Sequence, residues 1–317
     1  IDSDTFYGRI KQLQLEFDKY ELATMGALWN EETYNIEKEI NKADIMQRIA
    51  KQDYYANHSE EKAKKIPLEL GCLLQDIKSG RYVMYLQPKA YTDNTVIVAA
   101  ESLIRKIDRD GRIIPPGEFV PILEKARLVP YLDFFMLEET CKTLEKWNEN
   151  ETSTIKISVN MSRVTLAEPD YINRVLSITD KYKIERNQVE FEITESQETM
   201  DRKKLGEIIL ELAELGFGVS LDDLGTEYSS VMMLAMPGID TVKIDRGFVL
   251  QMDTDSGKIL VQHIIEMCHD LGEKCIAEGV EDDETREMLK DMGCDMYQGY
   301  LLAKPISIMD FEKMLGK

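Results

Sequence analysis

Gly218–Ser230 reads GVSLDDLGTEYSS. The apolar run Val219-Ser220-Leu221 ends in two adjacent carboxylates, Asp222 and Asp223, and a turn-like Gly225-Thr226 follows. Two acids at the end of a strand repel each other. Burying them is costly unless something neutralises the charge, and a bound cation is a common neutraliser.

The same arrangement recurs outward from this stretch. From Arg81 onward, strand-like runs occupy Tyr82–Gln87, Thr95–Ala100, Thr154–Val159, Val189–Ile193, Gly218–Leu221, Asp240–Ile244, Lys274–Ala277 and Met296–Leu301. Helical periodicity connects most of them: Phe119–Leu128 with Tyr131–Trp147, Asp170–Lys183, Lys203–Leu215, Ser230–Ala235, Lys258–Leu271 and Asp283–Met292, with Ser307–Leu315 last. Eight strands alternating with helices predict an α/β fold, a TIM-type (β/α)8 barrel. The first two strands lack a helix between them, and a helix pair lengthens the path to the third. A doubly wound open sheet is the rival, but neither GxGxxG nor GxxxxGK is present.

In such a barrel the chemistry gathers at the C-terminal ends of the strands. Read in order, those ends carry Gln87-Pro88, Glu101, Asn160, Glu192 with Glu195, Asp222-Asp223, Lys243 with Asp245, Glu278 with Glu281, and Gln298. Oxygen donors without Cys or His suit hard cations, Mg2+ or Mn2+. Four carboxylates plus Asn160 have the capacity for two ions, a pair suited to phosphoester hydrolysis. Lys243 is the natural cation to hold a phosphate or orient water. Arg105 lies four residues past Glu101; in a helix the two would share a face, and Arg105 could clamp a phosphate.

Each residue also has a plainer reading. Glu101 fits a helix N-terminal acid, Asp222 or Asp223 an N-cap, Asn160 a turn, and Lys243 a partner of Asp245. Glu281 reads best as a first-turn helix acid. All eight strand ends carry suitable chemistry together, and that convergence points to a site.

Composition bounds the possibilities. The 317 residues include 39 basic and 59 acidic ones, a formal charge of −20, which argues against a nucleic-acid polymer as partner. Hydrophobic residues at 43% and charged ones at 31% describe a globular protein. The five cysteines show no CxxC spacing and read as reduced thiols of a cytoplasmic protein. The three histidines form no spaced motif, so no zinc site is expected. No apolar run reaches about 18 residues and no signal peptide is visible. The chain starts at Ile1 without a Met, which suggests a fragment, and a membrane tether or sensor in a part outside this chain is compatible with that.

Residues 1–57 differ from the rest. Phe6–Leu22 and Thr33–Lys51 are helical in spacing, with a short apolar run at Leu22–Leu28 between them. That is too little to close a core alone. The polar stretch Asn57–Lys65, followed by Pro67, reads as a linker over 58–67. Leu68–Ile77 reads as a short amphipathic helix opening the main domain, 68–317.

These motifs together resemble the EAL domain, the cyclic-di-GMP phosphodiesterase family. Glu101-Ser102-Leu103 stands where the Glu-Ala-Leu signature is expected, with Arg105 after it. Tyr85-Leu86-Gln87-Pro88 resembles the opening YxQP. Pro116, Phe119, Pro121 and Glu124 resemble PxxFIPxAE. Asn160-Met161-Ser162, Glu192-Ile193-Thr194-Glu195-Ser196, Asp222–Ser230, Lys243-Ile244-Asp245, Ala277–Glu281 and Gln298-Gly299-Tyr300 follow in order.

The resemblance implies a bacterial signalling enzyme that hydrolyses cyclic-di-GMP to linear 5'-pGpG, and a homodimer. Glu101, Asn160, Glu192, Asp222 and Asp223 would hold two Mg2+ or Mn2+ ions. Glu278 would be the acid/base residue or a further ligand, and Lys243 would hold the catalytic water. Gln87, Arg105 and Gln298 would contact substrate, and Glu195 would brace the loop after Asp223. A catalytically weak cyclic-di-GMP receptor, signalling through the N-terminal segment, is the alternative.

Ser102, Leu224 and Glu227 depart from the family's Ala, Phe and Gly. Residues 1–57 resemble the end of a GGDEF domain through Leu22–Gly26 and Lys42-Ala43-Asp44 with Ala50-Lys51, implying a GGDEF or sensor portion upstream.

Overall fold

Alternation of buried apolar and inward polar residues builds the strands of this protein. The computed structural model describes residues 70–149, 155–194, 201–224 and 233–316, apart from the side chains of Thr194 and Asp223. The expectations for residues 1–67, Glu195 and Glu227 lie outside the described residues. The chain divides into two units, Ile1–Asp76 and Ile77–Lys317. Residues 70–78 are helical, close to the expected 68–77. The second unit contains every strand among the described residues.

The strands are β1 (Tyr82–Tyr91), β2 (Ile97–Ile107), β3 (Ile113–Ile114), β4 (Lys156–Met161), β5 (Val189–Thr194), β6 (Gly218–Leu224), β7 (Thr241–Ile244), β8 (Lys274–Ala277), β9 (Met296–Gln298) and β10 (Ile306–Ser307). The helices are α1 (Val120–Lys125), α2 (Val129–Glu149), α3 (Arg163–Leu166), α4 (Tyr171–Thr179), α5 (Arg202–Glu214), α6 (Arg246–Gln251), α7 (Asp255–Leu271), α8 (Asp283–Asp291) and α9 (Ile308–Met314). Hydrogen bonding runs β1-β9-β8-β7-β6-β5-β4-β2 and returns to β1, closing an eight-stranded barrel, with β10 and β3 as short additions.

Seven of these strands run parallel from β2 through β9, and β1 runs antiparallel to both its neighbours. The missing helix explains this. The five residues between β1 and β2 are too few for a parallel crossover and can only reverse the chain. The reversal corrects one expectation. β1 does not end at Gln87-Pro88; it continues to Tyr91, and Gln87 lies mid-strand opposite Glu101.

The outward faces of the strands make the core. Val159, Phe191, Val219, Val242 and Cys275 are fully buried, as are Leu137, Val175, Leu212 and Ile265 of the surrounding helices. The Phe191 ring meets Phe217 edge-on at 5.3 Å. Leu224, standing where the resemblance expects Phe, ends β6 buried at 2% exposure and pairs with Ile244.

The inward faces are unusual. TIM-type barrels normally fill this space with branched aliphatics. Here Lys89, Ser158, Glu190, Glu192 and Lys243 are buried. Gly218 makes room for one of them, because a Cβ there would stand 3.2 Å from Cβ of Glu190.

Candidate active site

Strand register brings the predicted residues together. Gln87 pairs with Glu101, Asn160 with Glu192, and Glu192 with Ser220, while Lys243 pairs with Ile276. Register partners in neighbouring strands share a face, so these inward residues stack toward the C-terminal end of the barrel.

Lys243 is the hub, with its side chain 2% exposed. Its Nζ lies 2.8 Å from Glu192 Oε2, 2.8 Å from Asp222 Oδ1, 2.7 Å from Glu278 Oε1 and 3.7 Å from Glu101 Oε2. Burial disfavours the charged lysine, but the four acids outweigh it and hold its pKa well above the ordinary value. The plainer reading of Lys243 as a partner of Asp245 fails: Asp245 caps α6 by accepting from the Gly247 N–H at 2.8 Å.

Glu101 is fixed from two sides. Asn160 Nδ2 donates to its Oε1 at 2.8 Å, and Gln298 Nε2 donates to its Oε2 at 2.7 Å and to Gln87 Oε1 at 3.0 Å. Gln87 Nε2 in turn donates to the Ala303 carbonyl. Burial raises the pKa of Glu101, and the charge of Glu192 adds to it. Burial also raises Glu278, to about 7, with Asp222 and Glu101 pushing the same way against Lys243.

Glu192 goes the other way. Burial would raise it, but Lys243 and Lys89 prevail and hold it well below the usual carboxylate range. Lys89 is a site residue that no sequence motif announced. Its Nζ donates to Glu192 Oε1 at 2.6 Å and to Ser158 Oγ at 2.8 Å, and lies 3.6 Å from Glu190.

Three expectations change. Glu101 and Arg105 sit on a strand, not a helix, and share its face by two-residue alternation. Arg105 lies farther out, its guanidinium 5.8 Å from the Tyr85 ring centre and bonded to the Ile104 carbonyl at 2.8 Å. Glu281 is not a first-turn acid: α8 is capped by Asp282, and Glu281 instead pairs with Arg246 at 2.7 Å on the rim. Arg246 is a second residue that the sequence did not single out. The backbone of Asp223 lies in β6, and its side chain is outside the described atoms.

The residues fit divalent cations of the Mg2+ class. The donor set is all oxygen. Glu101, Glu190, Glu192, Asp222 and Glu278 outnumber Lys243 and Lys89, an excess of carboxylates that divalent cations would offset. Gln298 Oε1 is buried beside Glu101 without a hydrogen-bond partner among the described residues, as expected of a site that a ligand completes. A cleft of about 280 Å3 opens over Lys243, Glu278 and Gln298, and one of about 500 Å3 lies over Asn160 and Pro121; Glu101 and Leu103 border both.

The EAL-domain family profile matches residues 72–305. The chain belongs to the EAL-domain family. This EAL chain is 31% identical over 235 residues to the bifunctional diguanylate cyclase/cyclic di-GMP phosphodiesterase MucR of Pseudomonas aeruginosa, covering 74% of this chain and 34% of that protein. It is 31% identical over 284 residues to the signaling protein YkoW of Bacillus subtilis, covering 87% and 35%. The chain thus spans about a third of the length of these curated relatives.

Among solved structures, the PaMucR phosphodiesterase in complex with c-di-GMP matches with a TM-score of 0.71 at 30% identity, covering 76% of this chain and 98% of that one. The EAL-domain protein of Listeria monocytogenes matches at 27% identity with a TM-score of 0.67, covering 76% and 95%. The EAL (β/α)8 fold expected from the sequence is therefore the one found. No helix among the described residues is long and apolar enough to cross a membrane.

Proposed function

We propose that this EAL domain is a metal-dependent phosphodiesterase that hydrolyses cyclic-di-GMP to linear 5'-pGpG. The observation that carries the reading is Lys243, buried at 2.7–2.8 Å from Glu192, Asp222 and Glu278 with Glu101 close by. A receptor that only binds the dinucleotide has no need of this cluster. The relatives' names, and the c-di-GMP in the PaMucR complex, supply the substrate.

Glu101, Asn160, Glu192, Asp222 and Asp223 would hold two Mg2+ or Mn2+ ions. When bound, such ions supply a water of lowered pKa and neutralise charge on the phosphate. Lys243 keeps the carboxylates converged, and would hold the attacking water through an N–H that a carboxylate now occupies. Glu278 would carry the proton for the leaving oxygen or serve as a further ligand; burial raises its pKa to about 7, near the working range of an acid/base group. Gln87, Gln298 and Arg105 line the path of the dinucleotide, and Glu195 braces the following loop. The same reading assigns residues 68–317 to the EAL domain, and makes the active form a homodimer governed by further parts of a longer protein.

The test is incubation of purified protein with cyclic-di-GMP and Mg2+ or Mn2+, with separation of the linear product. Turnover that disappears in Glu101→Gln and Lys243→Met supports the reading. Tight nucleotide binding without product in the presence of metal would replace it with the receptor.

A further inference from the structure

We propose that His269, Cys275 and Asp295 form a second metal site, for a zinc-class divalent ion, outside the barrel wall and at the end opposite the active-site cleft. This does not rest on the phosphodiesterase reading.

Topology gives the location. Cys275 is the second residue of β8, and Asp295 immediately precedes β9. Both therefore lie at the N-terminal ends of strands whose C-terminal ends lead to Glu278 and Gln298. Lys243 points into the barrel and pairs with Ile276, so Cys275 beside it points outward, toward α7 and His269.

The distances bracket those of a tetrahedral ion. His269 Nε2 lies 3.0 Å from Asp295 Oδ2, Cys275 Sγ 3.4 Å from the same oxygen, and Cys275 Sγ 3.9 Å from His269 Nε2. Ligand atoms around a tetrahedral Zn2+, each about 2.0–2.3 Å from it, lie roughly 3.3–3.8 Å apart. Small adjustments of His269, whose side chain is 42% exposed, would admit the ion. The other two ligands are held in place. The Cys275 N–H donates to Asp295 Oδ2 at 2.9 Å, and the Thr92 N–H donates to the Asp295 carbonyl at 3.2 Å.

The chemistry selects the ion. A thiol sulfur and an imidazole favour Zn2+ over Mg2+, the reverse of the all-oxygen cleft. On binding, the Cys275 S–H loses its proton to solvent and a metal–sulfur bond forms. One thiolate and one carboxylate then balance the two positive charges, so the complex is neutral where it is half-buried. A second observation marks the region as polar and incomplete. Glu273, two residues before Cys275, is buried, and its Oε2 has no hydrogen-bond partner among the described residues. The sequence pointed away from a zinc site because the three ligands share no spacing motif; only the fold gathers them.

The test is a Co2+ titration of the full chain in a Cys72→Ser background, which removes the exposed thiol. A sulfur-to-cobalt charge-transfer absorption that saturates at one ion per chain is expected. Oxygen donors cannot produce it, so the band reports on this site alone and persists in Asp222→Asn. It vanishes in Cys275→Ser. His269→Ala, a surface change that leaves the circular-dichroism spectrum intact, weakens Co2+ binding by about tenfold or more. Where Cys275→Ser folds poorly, His269→Ala decides alone. Absence of the band in the parent, its survival in Cys275→Ser, or unchanged affinity in His269→Ala overturns the proposal.

Discussion

Lys89 Nζ stands 2.6 Å from Glu192 Oε1, on the opposite side of the carboxylate from Lys243. Glu192 is therefore clamped between two buried lysines, both oxygens fixed, and ionised well below the usual carboxylate range. Breaking one side leaves charge stranded in the barrel. Lys89→Met is expected to cost about 3–5 kcal/mol, read from guanidinium unfolding, and to cut turnover. Adding Glu192→Gln should restore part of the stability and none of the turnover. Single and double variants of equal stability would show that the pair is not coupled.

Lys243 also has a consequence for metal removal. It already draws Glu192, Asp222 and Glu278 together, so the site does not depend on an ion to keep its shape. Chelation should stop hydrolysis while leaving the protein folded. Saturating Mg2+ at about a hundred times its Kd should add about 2.7 kcal/mol, a rise of roughly 5–10 °C in Tm for a domain of this size. Glu101→Gln should lose most of that rise. A Mg2+-dependent rise that survives the substitution would place the ion elsewhere.

Much of this site was legible because strand ends in a barrel converge whatever the loops do. Asp222, Glu192 and Lys243 needed only that rule. Gln87 reached the site by a different route, mid-strand on a reversed β1. Lys89 was not legible: a lysine two residues past Gln87 reads as a solvated strand end, and its partners Ser158 and Glu192 lie 69 and 103 residues away. One usable signal was the absent first helix, since the reversal it forces keeps β1 in the wall through Tyr91 and turns Lys89 inward beside Gln298. Glu281 was misread because a salt bridge to Arg246, 35 residues distant, leaves no local pattern.

Glu273 gives a pH dependence separate from the active site. Burial raises its carboxyl to about 7, against about 4.3 in an unfolded chain. A raised folded pKa means the protonated acid is the stabilised form. Its contribution is full below about pH 4.3 and is lost as pH rises through about 7. The size is of the order of 1–2 kcal/mol after allowance for partial solvent access. Glu273→Gln should therefore raise stability at pH 8 and change little at pH 5. Chemical unfolding at the two pH values checks this, and an equal effect at both would show that Glu273 does not titrate in that window.

Gly299 ties strand packing to Gln298, the glutamine bonded to Glu101. A Cβ built there would collide with the backbone N and O of Val280, atoms that cannot swing aside. Those same atoms are in use: the Val280 N–H donates to the Gln298 carbonyl at 3.1 Å, and the Val280 carbonyl accepts from the Leu301 N–H at 3.0 Å. Gly299→Ala must push the β8 and β9 ends apart, and Gln298 moves with them, loosening its bonds to Glu101 and Gln87. The expected cost is about 2–3 kcal/mol, with a fall in turnover beyond what the lost stability explains. Gly206→Ala is the control of opposite sign. Gly206 lies inside α5 with open space where its Cβ would be, so the change should stabilise by up to about 1 kcal/mol. Unfolding midpoints and turnover of the two variants, measured side by side, decide the matter: a Gly299→Ala protein as stable and active as the parent would mean that β8 and β9 can separate without disturbing Gln298.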